Sequence, residues 1–401
     1  MEISFDNLIE SLKLEVCPRS LECIFDEVKQ EMSSHGVFFL NPAYIRSLHD
    51  KCNSFPKSLD EVLSAAELIS EDECLSLYAL LVYRAMSDRE SFKENLNEIV
   101  FPKAIDKATR FLPFMILIPR IDDLYDYLSK KRLPIEIIHA TVQQYEECLY
   151  IYSERYDNVG LNKHYFDWLQ GYVDRKYLNI KRLRFEMSEF VGRVRFFRHN
   201  DSGEIKILAD DGEFDSRGMI AGSLPVIEGE KYRHAEIIEN PSSVSGYEII
   251  DGRLSDSFVC LDGSWSCALK RGDKILKVHI PPNGALTKDI VRESYLRAKQ
   301  IYSEYFEDFA YDAFVCHSWM LSIELRDILK PTSNIIQFQN DYLHYPIRAK
   351  GTDVFNFVFK LKFTTYEDMP EETSLQRAIK QKYLSGERVY ECGGAFFACD
   401  I

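Results

Sequence analysis

The chain has 401 residues, 46% hydrophobic and 13% aromatic, enough to bury a core and long enough to make two domains the default. Its 64 acidic against 49 basic residues give a net charge of −15, and the basic runs at Lys130 to Arg132 and Lys181 to Arg184 are too short for the cationic face that nucleic acid requires. Ten cysteines without Cys-x-x-Cys spacing or partnered Cys/His sets argue against zinc or redox chemistry, so no metal is expected.

In chain order, Met1 to Asp6 lacks the basic and apolar segments of a secretory leader. The longest apolar run, Phe111 to Pro119, is too short for a membrane span and holds two prolines. A reduced, cytoplasmic, soluble protein is expected.

Up to about residue 178 the apolar spacing predicts helices. Asp60 to Met86 carries Val62, Leu63, Ala66 and Ile69, then Leu77, Leu80, Leu81 and Val82, with Ser70 to Glu73 resembling a capping box between them. Lys103 to Lys131, Ile135 to Tyr156 and His164 to Tyr177 continue the pattern, broken at Pro113, Pro119 and Pro134. Gly36 is the lone glycine before Gly160, which suits a helix bundle.

Beyond residue 180 the period shortens. Arg193 to Arg198 and Glu204 to Leu208 flank a turn at Asn200 to Gly203, a hairpin signature, and the same rhythm recurs through Asp251-Gly252 and Asp262-Gly263. Leu183 to Met187 reads as a strand. Ile275 to Ile280 is a strand closed by Pro281, Pro282, Asn283 and Gly284, and Thr287 is placed to cap a helix with a stripe at Val291, Tyr295, Ala298, Tyr302 and Tyr305. Ala313 to Trp319 is a second buried strand. Such a glycine loop before a helix N-terminus presents backbone N–H groups that favour phosphate. The expected fold class is α+β: a helical domain, residues 1–178, followed by a mixed α/β domain, residues 179–401.

This order of parts resembles the GNAT acyltransferase superfamily, and more closely the bacterial two-domain proteins with a helical N-terminal domain and a GNAT-like C-terminal domain. The resemblance rests on Leu183 to Met187, on Lys277-Val278-His279-Ile280-Pro281 with Gly284, and on Ala313 to Trp319. It extends to Ser333 to Gln339, taken as a further strand, and to Thr373 to Arg377. It implies acyl transfer from acyl-CoA (acetyl-CoA or longer) to a small-molecule or peptide amine. It also implies coenzyme contacts at Ile280, Asn283, Gly284, Ala285, Leu286, Thr287 and Trp319, and two strands that splay at His279 and His317. The helix expected after the second strand, Ser322 to Leu329, lacks the tyrosine that many members use to protonate the leaving thiolate.

An amine acceptor must arrive neutral, so a base near neutrality is needed, and His279 and His317 are the candidates. Alternation places Lys277 and His279 on one face, and Val315, His317 and Trp319 on one face opposite Cys316. Glu186 is a lesser candidate for binding an amine, and Gln337 and Gln339 for contacting substrate amides. Two other readings stand beside the enzyme: a non-catalytic acyl-CoA-binding or sensing module, and a thiol hydrolase acting through Cys316.

Overall fold

The computed structural model describes residues 3–86, 95–226, 228–282 and 284–401, and the chain divides into two compact units, Met1–Leu178 and Asn179–Ile401. In the first unit the long helix Lys107–Lys130 packs against the helices Leu59–Ser70 and Glu73–Ala85. Every side chain of the long helix from Phe111 to Ile121 is buried, as expected of a central helix, and Arg120 is the one charged residue in that stretch. Pro113 and Pro119 lie inside this helix and do not break it. Burial on all sides outweighs the lost hydrogen bonds and ring clashes, about 3 kcal/mol each in an exposed helix.

Two helix starts differ from the sequence reading. Ser70 ends one helix, and Asp72 caps the next through Leu75 N at 2.9 Å. Lys103 lies outside the long helix, whose N-cap is Asp106. There Asp106 Oδ1 accepts from Thr109 N at 2.8 Å while Thr109 Oγ1 accepts from Asp106 N at 3.2 Å. Asp106→Ala removes this reciprocal cap and should cost about 1 kcal/mol of stability, read as a lower urea midpoint with an unchanged slope. The segment from His164 ends early: helices cover Lys163–Trp168 and Gln170–Val173, and Tyr177 already begins a strand.

The described residues hold fourteen strands, the first of them spanning the boundary between the two units: β1 Tyr177–Ile180, β2 Leu183–Glu189, β3 Val194–His199, β4 Ile205–Ala209, β5 Gly212–Phe214, β6 Arg233–Ala235, β7 Ile238–Asn240, β8 Ser243–Ile250, β9 Arg253–Asp262, β10 Trp265–Leu269, β11 Lys274–His279, β12 Ala313–Ser318, β13 Leu343–Tyr345 and β14 Cys392–Phe397. One sheet runs β1-β2-β11-β12-β14-β13 and a second runs β10-β3-β4-β8-β7, with β9 also paired to β8. The expected β3–β4 hairpin forms with Val194 opposite Ala209. Asp251 and Gly252, both at positive φ, turn β8 into β9, as a two-residue hairpin loop requires.

In the first sheet β11 and β12 are parallel, so their connection must cross over, and the helix Lys288–Tyr305 does so. Its buried stripe, Val291, Tyr295, Ala298 and Tyr302, covers one face of the sheet. Tyr295 meets the rings of Phe314 and Phe396 at 5.2 and 4.8 Å. The opposite face, with Ile275, Ala313, Val315 and Phe397, packs on Val194, Phe196, Ile207 and Ala209 of the second sheet.

Two expected elements change identity. Ser333 to Gln339 is a helix, Asn334–Gln339, capped by Ser333 through Ile336 N, so Gln337 and Gln339 share no strand face. Gln339 is fully buried and donates to the carbonyls of Met320 and Ser322, both at 2.9 Å, closing the polypeptide that follows β12. That polypeptide is 3-10 helical at Trp319–Leu321 and Ile323–Asp327, in place of the helix expected over Ser322 to Leu329.

Candidate active site

The face of β11 and β12 that meets the second sheet changes character along its length. Ile275 and Ala313 are core; Lys277 and Val315 follow; His279 and His317 come last. The parallel ladder pairs Ile275 with Ala313 and ends at Val278 with Cys316. Beyond that point β11 stays paired with β2 as far as His279–Arg184, and β12 stays paired with β14 as far as Ser318–Cys392. The two strands therefore part company where the two histidines begin, each held by its outer neighbour.

His279 Nε2 lies 2.7 Å from Glu186 Oε2, and Lys277, directly opposite Glu186 in the ladder, reaches the same oxygen at 3.9 Å. A carboxylate can only accept, so Nε2 carries the proton and Nδ1 is the basic nitrogen. Burial pulls the His279 pKa below its ordinary value, opposed by Glu186 and assisted by Arg184 and Lys277. His317 Nε2 meets the buried Tyr345 hydroxyl at 2.7 Å. Burial, then Lys277 and His279, push the His317 pKa down to about 4. Both imidazoles are thus neutral at physiological pH, and His279 alone of the two has a carboxylate partner at hydrogen-bond distance among the described residues.

Cys316 points to the opposite face, 1% exposed, its thiol pushed up to about 12 by burial. It is a small hydrophobe there, and the Cys316 hydrolase has no thiolate to work with. Trp319 leaves the strand: Ser318 caps the short helix that begins there, and the indole packs with Leu325, Ile336, Phe359 and Tyr383.

After β11 the chain enters the proline–glycine loop. Ile280 is half-buried, Gly284 and Ala285 are exposed and Leu286 is buried, whereas Asn283 lies outside the described residues. Gly284 has φ +100°, a region that side chains with a Cβ rarely adopt. Thr287 occupies the N-cap of the Lys288–Tyr305 helix with extended backbone, and its hydroxyl makes no capping bond. Behind the loop, Arg182 from the β1–β2 turn donates to the carbonyls of Gly284 and Ala285 at 3.0 and 3.1 Å.

Residues 178–396 match the description of the GNAT-like C-terminal domain. The chain belongs to that family. Its GNAT-like domain accounts for the parallel β11–β12 pair and the crossover helix between them. Among solved structures, an acyltransferase in complex with CoA and 10C-teicoplanin superposes with a TM-score of 0.65 at 16% identity, covering 99% of this chain and 100% of that one. An acyltransferase in complex with decanoyl-CoA and teicoplanin gives 0.64 at 16% identity over 99% and 100%. An acyltransferase mutant in complex with octanoyl-CoA gives 0.63 at 16% identity over 98% and 99%. At that identity the likeness is one of fold, over both units' length. No curated protein matches the sequence.

Among the described residues no group of three metal-ligating side chains occurs, and no helix is long and apolar enough to cross a membrane. Neither Tyr345 and Arg182 nor the pairing of Glu186 with His279 stands out in the sequence. Their partners lie 28 to 103 residues away, and a hydrogen bond of that span is visible in sequence only once strand register is known.

Proposed function

We propose that the chain transfers an acyl group from a coenzyme A thioester to an amine. Family membership supports the donor, and one observation supports the chemistry: a carboxylate-held neutral imidazole, His279, stands just past the point where the parallel ladder opens. The amine nitrogen attacks the thioester carbonyl carbon, its proton passes to His279 Nδ1 directly or through a water, and the carbon–sulfur bond breaks to release CoA thiolate. Glu186 holds the tautomer and offsets the imidazolium that forms, as a buried carboxylate does in other acyl-transfer sites. His317, tied to Tyr345, lines the same opening and orients substrate.

The Gly284–Thr287 segment binds the coenzyme diphosphate through main-chain donors at the start of the helix. Gly284→Val forces a β-branched residue to φ +100° with its Cβ 3.4 Å from Arg182 Nε. The strain of about 1–3 kcal/mol should reshape the loop and weaken CoA binding about tenfold in calorimetry. Undiminished affinity would remove the loop from the site.

The experiment that tests the function is steady-state release of free thiol from acyl-CoA against a panel of amines. Octanoyl- and decanoyl-CoA head the donor list, because the structural neighbours are complexes with those thioesters. Amine-dependent thiol release is the expected result. A rise in melting temperature with acyl-CoA but no thiol release for any amine would make the chain an acyl-CoA-binding module.

A further inference from the structure

We propose that Arg182 is a positioning residue for coenzyme phosphate, shaping the donor face of the Gly284–Thr287 loop from behind. The inference rests on the reading of that loop given above.

The argument begins with peptide geometry. In a trans peptide the C=O and N–H point in opposite directions. The Arg182 fork draws two successive carbonyls toward itself, Nη2 taking Gly284 O at 3.0 Å and Nε taking Ala285 O at 3.1 Å. The N–H groups of the same two peptide planes belong to Ala285 and Leu286, and they are turned away from Arg182, side by side. Neither has a hydrogen-bond partner among the described residues. Two adjacent, co-directed N–H groups without a protein acceptor are what an anion such as phosphate binds. Lysine, a point charge on a flexible stem, has no rigid fork to hold both carbonyls at once.

Charge gives an independent reason. In a chain of net charge −15, Arg182 has no carboxylate partner among the described residues; burial alone acts on its pKa, lowering it. Its Nη1 is buried without an acceptor. The neighbouring Lys181, by contrast, pairs with Glu293 at 2.8 Å. A half-buried guanidinium left without a counter-charge behind two outward N–H groups favours an anion on their far side. The main chain fixes the arrangement: Arg182 N donates to Ser294 Oγ at 3.1 Å, tying the β1–β2 turn to the helix that the loop begins.

The test uses the full chain, with acyl-CoA and the corresponding acyl-pantetheine, which carries the same thioester and no phosphate. Wild type should prefer acyl-CoA, read as a lower KM. Arg182→Met should weaken CoA binding about tenfold in calorimetry and erase that preference, while Arg182→Lys recovers only part of it. If wild type binds no CoA, the loop reading itself fails. If wild type binds CoA and Arg182→Met binds it equally well, Arg182 alone is overturned. An equal loss with both donors, or loss of the folded circular dichroism spectrum in both variants, assigns Arg182 a structural role and overturns the proposal too.

Discussion

His279→Ala is expected to lower turnover about 10²- to 10⁴-fold with coenzyme affinity unchanged, the signature of a lost general base. Single-turnover thiol release and calorimetry separate the two quantities. The pH dependence carries a further sign. The base must be neutral, and burial lowers the His279 pKa. Rate should therefore stay on its plateau down past the ordinary imidazole value, near 6.5, and fall only as pH drops through the lowered one. Glu186 raises that pKa, so Glu186→Gln should move the acid limb to still lower pH. A limb that stays in place when Glu186 is neutralised would detach it from His279. His317, already at about 4 and paired with a phenol, should give a smaller loss on replacement by alanine. A larger loss there would exchange the two assignments.

Phe314→Ala is expected to cost about 3–5 kcal/mol, the largest effect on stability among these substitutions. The ring is fully buried on β12 and meets Tyr295, Phe396, Tyr311 and Phe185 at centroid separations of 5.2, 5.2, 5.4 and 5.8 Å. It joins the crossover helix to three strands of one sheet, so the hole cannot close by moving a single neighbour. Urea unfolding followed by near-ultraviolet circular dichroism measures the loss, with Phe314→Leu as the milder control. A cost under about 1 kcal/mol would place the ring outside the core.

The α+β class and the course of β11, the loop, the crossover helix and β12 were legible because local signals agreed there. Two prolines and a glycine end one strand, Thr287 starts the helix, and the apolar stripe keeps a helical period. Ser333 to Gln339 misled for the opposite reason. Seven residues that suit either period cannot reveal their state, and the decision lies in Gln339 reaching the carbonyls of Met320 and Ser322. Pro113 and Pro119 misled because local cost was read without the burial that overrides it. Within the candidate site the placement of both histidines at the ends of their strands was legible. The ranking between them could not, since Glu186 and Tyr345 become their partners only through ladders β2–β11 and β13–β14–β12.

The buried thiols carry a last consequence. Cys52 and Cys148 are sealed in the first unit, Cys316 and Cys392 in the second, whereas Cys23, Cys260, Cys267 and Cys399 are exposed. An alkylating reagent should mark the exposed set within its intrinsic reaction time and reach each sealed pair only when its own unit opens. Pulse labelling read peptide by peptide thus clocks the two units separately in the unmodified chain. A saturating acyl-CoA should slow the Cys316 and Cys392 clock and leave that of Cys52 and Cys148 running.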